Sequence, residues 1–411
     1  MMRDILTVGE ESLSVEVIAG KIHSCRSKNI IKKGLRIFEQ NKIYASSYVG
    51  EISDEQLFEK VRANMAVGIP YEFSLPEVSG MRLQDDESMQ APLQSILQAF
   101  EMSKEKLGRF DRQFTFTGKF RRRLNRQSLK SSEGMLCESA FAVNEWHYFF
   151  KEKGSPQLLD GYFGESARTL DVQDTLDKNT PYLEAYKTQA KIENGSYPVL
   201  FIDDEVLLRK ISESFIADKY CTGSAIYSDK LNAQIADSKF SLYDINYSPE
   251  HGLYKKYDDE GTVRKLLKLP LIERGVMKNV IADLRSAKKY GLKPTGNGQR
   301  NFDSAVTTNF NRLLVGAGTR STQDILKSLD NCIIAFLAWG GDFTDKGDFS
   351  TPLQLSYLLQ KGEIVGRLPQ LTVKTSTQEM FGPRLIEIAS DAFQRTTHSP
   401  SIFSEMDVYL N

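Results

Sequence analysis

The chain has 411 residues, a formal charge of -1 and 26% charged residues of both signs, a length that predicts two or three domains at roughly 150 residues each. The even charge balance argues against a polyanion-binding protein, which would carry a basic excess in the domain concerned. No apolar window approaches the roughly 20 residues of a membrane span, and the N-terminal MMRDILTVGEESLSVEV lacks the apolar core of a signal peptide. Cys25, Cys137, Cys221 and Cys332 lie too far apart for a zinc ribbon or a dense disulfide framework, so a protein of the reducing cytoplasm is expected.

Taken in order, residues 13–47 alternate in four blocks, LSVEVIAG, KIHSCRSK, IIKKGLRIFEQ and KIYASS, divided at Gly20-Lys21, Asn29 and Asn41-Lys42. This predicts a four-stranded meander. Residues 53–65 read as a helix with a Ser53-x-x-Gln56 capping box. Leu57, Val61 and Met65 give it one apolar face to lay on the sheet. Residues 69–83, polar with Pro70 and Pro76, read as a linker, and a helix follows at about residues 91–107. Three long strands are expected over 113–125, 128–138 and 139–151, then a helix over 171–191 interrupted by Pro181.

Lys119, Phe120, Arg121, Arg122, Arg123 and Arg126 form the one basic cluster, near Phe114 and Phe116. Basic residues interleaved with aromatics can bind nucleic acid. Alternation, however, turns Arg121 and Arg123 to one face and Arg122 to the other, which favours a solvated or carboxylate-paired sheet face.

The apolar run at 198–202 has the length of a buried strand, and Asp203 or Asp204 caps a helix to about residue 219 with Leu207, Ile211 and Phe215 on one face. Asp258, Asp259 and Glu260 then sit against Gly261, which tolerates φ > 0. Three carboxylates beside a glycine can hold a hard cation, but taken alone the stretch reads first as a solvated turn. Residues 262–269 read as a strand, Glu273-Arg274-Gly275 as a hairpin loop into a strand over 276–282, and residues 283–290 as a short helix stopped at Gly291. A short helix at 323–329, an apolar strand at 331–339 and a hairpin of 355–360 with 363–368 over Lys361-Gly362 follow.

The order of these pieces resembles the TldD/PmbA family, whose members are known as modulators of DNA gyrase and as metalloprotease subunits. The resemblance rests on Asp258-Asp259-Glu260-Gly261, the hairpin at Gly275-Val276, the alanine-containing helix and Thr295-Gly296-Asn297, followed by Thr308-Asn309, Gly347-Asp348-Phe349-Ser350 and Lys361-Gly362-Glu363-Ile364. Residues 15–64 are similar to the family's N-terminal domain, without the leading helix usual before its first strand. Pieces and resemblance together give an α+β fold. An N-terminal antiparallel meander plus helix spans 1–68, a central sheet-and-helix module 84–194, and a large, mainly antiparallel, barrel-like domain 195–411.

Metal-bearing members carry His-Glu-x-x-x-His on the helix after the first strand of the C-terminal domain, with a cysteine ligand near the C-terminus. Arg209, Lys210 and Ser214 stand at the aligned positions here, residues 388–391 hold no cysteine, and Cys332 lies too early. His23, His147, His251 and His398 are scattered. The chain therefore resembles the PmbA (TldE) branch, which lacks the zinc ligands, and the resemblance implies no cofactor here but zinc in a homologous partner. The implied role is the non-catalytic half of a cytosolic metalloprotease complex, formed with a zinc-bearing TldD-like homologue or by self-association. Its substrates would be unfolded or small peptides, held in part by strand addition. Asp258, Asp259, Glu260, Gly261, Gly296, Asn297, Gly347, Asp348, Phe349 and Ser350 would frame the partner's site or contact substrate. Nucleic acid and membrane are not expected partners.

Two other classes stay open. A gyrase-associated or nucleic-acid-binding regulator would use the 119–126 cluster. A self-sufficient peptidase would need an unrecognised site. Cys221 with His251 or Ser350 with His398 are candidate pairs, but no G-x-S-x-G elbow frames either, and a buried cysteine with surface histidines is the expected state. An acid pair from Asp258, Asp259 and Glu260 also stays open, though the resemblance, which finds this motif in both branches of the family, implies architecture rather than catalysis.

Overall fold

Long hairpins build the first layer of the computed structural model, which describes residues 2–63, 65, 68–71, 81–82, 93–248, 253–394 and 399–410. Strands β1 (Met2–Ile18), β2 (Lys21–Glu39) and β3 (Lys42–Val49) form a meander of three strands rather than the expected four. Asn29 ends nothing: it pairs with Glu11 in mid-ladder, on a stretch of β2 that faces water and so buries no amide. The true reversals lie at Ala19-Gly20 and Gln40-Asn41, all four residues at positive φ.

Helix α1 (Asp54–Ala63) begins with the expected capping box, the Ser53 N–H donating to Gln56 Oε1 and the Gln56 N–H to Ser53 Oγ, both at 3.2 Å. Its buried Leu57 and Val61 pack on Ile5, Leu35 and Ile37 of the sheet. Two short strands, β4 (Ile69–Pro70) and β5 (Met81–Arg82), fall within the expected linker, while Pro76 and residues 91–92 lie outside the described residues. Helix α2 covers Leu93–Leu107.

The three strands expected over 113–151 are two, β6 (Phe114–Ser131) and β7 (Leu136–Glu152), reversed at a turn with Gly134 at φ 86° and followed by β8 (Gly161–Ala167). The sheet runs β4-β3-β2-β1-β6-β7-β5, with β8 also on β7. Because β1 pairs with β6 from Asp4 opposite Ser131 to Ile18 opposite Thr117, strands β1–β3 and the 114–167 strands share one continuous sheet. Its inner face is an aromatic slab of Phe114, Phe116, Phe120, Trp146, Tyr148, Phe150 and Phe163, covered by α2 and by α3 (Val172–Glu184). Helix α3 keeps Pro181 inside it and passes into a tighter turn at Ala185–Lys187, so it stops short of residue 191.

The second layer is a nine-stranded sheet around β9 (Gly195–Phe201), which lies antiparallel to Ile402–Leu410 and parallel to Cys332–Leu337. Every residue of Cys332–Leu337 is buried, as befits a strand covered on both faces. One face joins the aromatic slab through Phe336 and Tyr357. The other shares a core with a four-stranded sheet of Val276–Met277, Lys268–Glu273, Leu242–Ile245 and Leu313–Val315. The strand expected over 262–269 is instead a single bridge from Val263 to Tyr257 before Lys268–Glu273, and that over 276–282 is only Val276–Met277.

The helix expected to run to residue 219 is α4 (Glu205–Ser212), a tight turn at Glu213–Phe215 and α5 (Ala217–Cys221), with Leu207, Ile211 and Phe215 buried as read. Helix α6 (Leu284–Tyr290) is capped by Asp283 and stopped by Gly291 at φ 67°. The fold is α+β and mainly antiparallel. Among the described residues no helix is long and apolar enough to cross a membrane.

Candidate functional site

The acidic turn lies at the seam of the two layers, not in solvent. Asp258, Asp259 and Glu260 are 1%, 5% and 0% exposed, which overturns the solvated-turn reading. Tyr257 anchors the turn in a small core with Leu6 of β1, Leu129 of β6, Cys137 of β7 and Met135. Gly261 is obligatory: it takes φ 84°, and a Cβ there would stand 2.0 Å from Met135 Sδ.

Burial is tolerated because all six carboxylate oxygens accept hydrogen bonds. Asp258 Oδ1 accepts from the N–H groups of Glu260 (3.0 Å) and Thr262 (2.9 Å), and Oδ2 from that of Gly298 (2.8 Å). Asp259 takes Gln127 Nε2 of β6 at 2.6 Å, Lys255 Nζ, and the Arg300 N–H at 2.9 Å. Glu260 takes the Tyr71 hydroxyl at 3.0 Å and the Leu284 N–H, at the start of α6, at 2.8 Å. Oxygens committed in this way are not available to a hard cation, so the turn works as a clamp between β6, Tyr71 and α6.

The three acids differ in their proton affinity. Burial, with the adjacent Asp258 charge, pushes Glu260 up to about 8. Burial also raises Asp258, against the pull of its three backbone donors, to about 6. Burial opposes ionisation of Asp259 too, but the Lys255 charge and hydrogen bond outweigh it and hold this carboxyl below its usual range.

Asn297 closes a second buried knot. Its Nδ2 donates to Asp244 Oδ2 (2.7 Å) and to the Asn309 carbonyl (2.9 Å), while its Oδ1 accepts from Arg264 (2.7 Å) and Thr295 Oγ1 (2.8 Å). Gly296 turns the chain into it at φ 72°. Sequence reasoning missed a third knot: Asp4 of β1 accepts from Arg36 Nε of β2 at 3.0 Å and from Arg300 at 3.1 Å, all three side chains being buried. The only local signal was an aspartate beside Ile5 and Leu6 on a buried strand, and its partner Arg300 is 296 residues away.

Helix α4 meets the Gly347 hairpin elsewhere. Arg209 donates to Asp342 Oδ1 at 2.6 Å and its guanidinium lies 5.9 Å from the Phe343 ring centre. Asp342 pairs in the ladder with Ser350 and Phe343 with Phe349, whose ring is 4.6 Å away. Thr344 Oγ1 donates to Asp348 Oδ2 at 3.0 Å around Gly347 at φ 94°. The fold thus brings Arg209, Asp348, Phe349 and Ser350 into one neighbourhood, apart from the clamp. Lys210 turns to Glu213 at 2.9 Å, and Ser214 is fully buried with its Oγ unbonded.

Residues 194–409 match the PmbA/TldA metallopeptidase C-terminal domain. The chain belongs to the TldD/PmbA family. A metalloprotease TldD homologue from Buchnera aphidicola is 28% identical over 194 residues, 46% of this chain and 40% of that one. A metalloprotease of Methanothermobacter thermautotrophicus is 25% identical over 164 residues, 40% of this chain and 36% of that one. The chain therefore spans about two fifths of the length of the curated relatives it matches. The crystal structure of TldE from Thermococcus kodakarensis superposes with a TM-score of 0.86 over 100% of this chain and 97% of that one at 17% identity, a likeness of fold.

The residues that the sequence resemblance aligns with the zinc motif do not fit the metal. Zinc takes lone pairs from thiolate, imidazole or carboxylate, whereas Arg209 presents a guanidinium, all donors, paired with Asp342, Lys210 is held by Glu213, and Ser214 offers only a buried hydroxyl. Among the described residues no three His, Cys, Asp or Glu side chains cluster as a metal site would require. Cys221 is exposed at the end of α5, not buried as expected, and both histidines considered as partners for a nucleophile, His251 and His398, lie outside the described residues. Ser350 is held in a strand. On the basic strand, Arg121 pairs with Glu10 (2.7 Å) and Arg123 with Glu145 (2.5 Å), the carboxylate-paired face expected from alternation, and Arg126, of the opposite parity, pairs with Glu11.

Proposed function

We propose that this chain is the non-catalytic subunit of a cytosolic metalloprotease complex that handles unfolded or small peptides, its partner being a zinc-bearing TldD-like homologue. One observation carries the reading. The seam clamp and the Asn297 knot are fully built, while the helix that would hold zinc presents Arg209 and Lys210, each neutralised by a neighbouring carboxylate. A fold maintained to that degree, with no metal-binding donor at those positions of α4, is best explained by a surface that completes another subunit's site. Such an obligate interface should bury upwards of about 2,000 Å². Paired arginines on β6 weigh against the nucleic-acid alternative, because the charges needed to displace phosphate counterions are already matched.

The test is co-expression of a tagged form with the His-Glu-x-x-x-His homologue from the same genome, followed by affinity capture and native mass. A one-to-one species is expected. Recovery of the tagged chain alone, as monomer or homodimer, while the homologue stays in the flow-through would refute the heterodimer.

A further inference from the structure

A cavity of about 890 Å³ opens between the turn after β7, residues 152–160, and the nine-stranded sheet, with no residue of the clamp or of α4 in its lining. Its size is within the ~300–1,000 Å³ usual for small-ligand sites. Two exposed apolar groups line it, Leu158 (97% exposed) from the 152–160 turn and Trp339 (51% exposed) from just beyond the Cys332–Leu337 strand. Trp339 is not loose. Gln354 grips its backbone with both ends of one amide, Oε1 accepting from the Trp339 N–H and Nε2 donating to its carbonyl, each at 2.8 Å. An exposed indole on a fixed backbone has already lost part of the freedom that binding would otherwise remove.

The cavity also offers an unmatched cation. Arg367 lies with its guanidinium 4.2 Å from the Tyr186 ring centre and makes no ion pair with a described carboxylate. The two acids in the wall are occupied: Asp160 accepts from the Glu152 N–H (2.7 Å) and Ser155 Oγ (2.8 Å), and Glu152 from Gln113 Nε2 (3.5 Å). Lys153 donates to the Asp111 carbonyl. We infer that this cavity binds the free C-terminus of a short peptide, its carboxylate on Arg367 and an apolar or aromatic terminal side chain between Trp339 and Leu158. The fork of the guanidinium suits a carboxylate, and its contact with the Tyr186 ring restrains it. The choice of a peptide as ligand rests on the peptide-handling role proposed above; the acid, the indole and the leucine come from the cavity itself.

The protein carries its own reporter. It has two tryptophans, and Trp146 is fully buried against Phe120, so a ligand-dependent emission change belongs to Trp339. Titration of the whole chain with Ac-Ala-Ala-Phe as free acid is expected to give a saturable change, absent in Trp339→Phe, and the C-terminal amide of the same peptide should bind about tenfold more weakly. Arg367→Gln should reduce the acid to the level of the amide and leave the amide within about twofold. Leu158→Ser, at a position too exposed to threaten folding, should weaken both. No saturable change up to about 5 mM, or equal binding of acid and amide by the native chain, would overturn the proposal, even if Arg367→Gln fails to fold. The titration uses this chain alone, so failure to capture a homologue would leave it standing, and its own failure would leave the heterodimer reading standing.

Discussion

Glu260 shows how a buried acid can be structural rather than catalytic. It is pushed up to about 8 from an ordinary 4.5 by burial first and by Asp258 second, with Asp283 adding to the rise and Arg36 opposing it. The folded protein therefore binds a proton that the unfolded chain has released across this window, so stability falls as pH rises. The contribution is complete below about 4.5 and gone above about 8. Thermal midpoints should drop between pH 6 and pH 9 (roughly the upper part of that window), and Glu260→Gln should flatten that slope; an unchanged slope in the variant would assign the effect to another group. Arg209, Lys210 and Ser214 give the second residue-scale expectation. Elemental analysis after dialysis against a weak chelator should find far less than one zinc per chain, and retention of about one would contradict the account of α4.

At the scale of elements, β6 separates the regulator reading from the structural one. Arg121 and Arg123 each pair with a glutamate on a half-exposed face, and such pairs contribute less than about 1 kcal/mol apiece. Replacing Arg121, Arg122 and Arg123 together by glutamine should therefore lower the thermal midpoint by no more than about 10 °C and leave one cooperative transition. If the native chain binds DNA with a steep salt dependence that the triple variant loses, the nucleic-acid reading gains instead.

Elements with local signals were readable in the sequence. Ser53 with Gln56, Asp283 with Gly291, and Lys361-Gly362 each declare their turn or cap within a few residues. The long hairpins were not. Asn29 and the Asn125–Ser128 stretch look like breaks because exposed or half-exposed ladder positions accept any polar residue, so composition stops marking where a strand ends. The acidic turn was found but its surroundings were not, since its donors come from Gln127, Tyr71, Gly298 and Leu284, which no periodicity connects to it.

Across the whole molecule, the two layers are joined by polar groups as much as by apolar ones. Asp4 ties β1 to Arg300 of the C-terminal half, and its removal leaves Arg36 and Arg300 buried with no carboxylate between them. Asp4→Ala should destabilise the protein by about 3–5 kcal/mol, seen as a fall in the denaturation midpoint and, if the layers uncouple, as two transitions where there was one. A change below about 1 kcal/mol would show that the apolar core at Tyr257 holds the seam without the ions.

The central claim is that this chain completes a site whose metal another subunit supplies. Its most direct test holds the zinc-bearing homologue at fixed concentration, adds this protein, and follows cleavage of an unfolded peptide. The account predicts a rate that rises from near zero and levels off at one chain per homologue. A homologue fully active alone, with a rate that this protein does not change at any ratio, would contradict it.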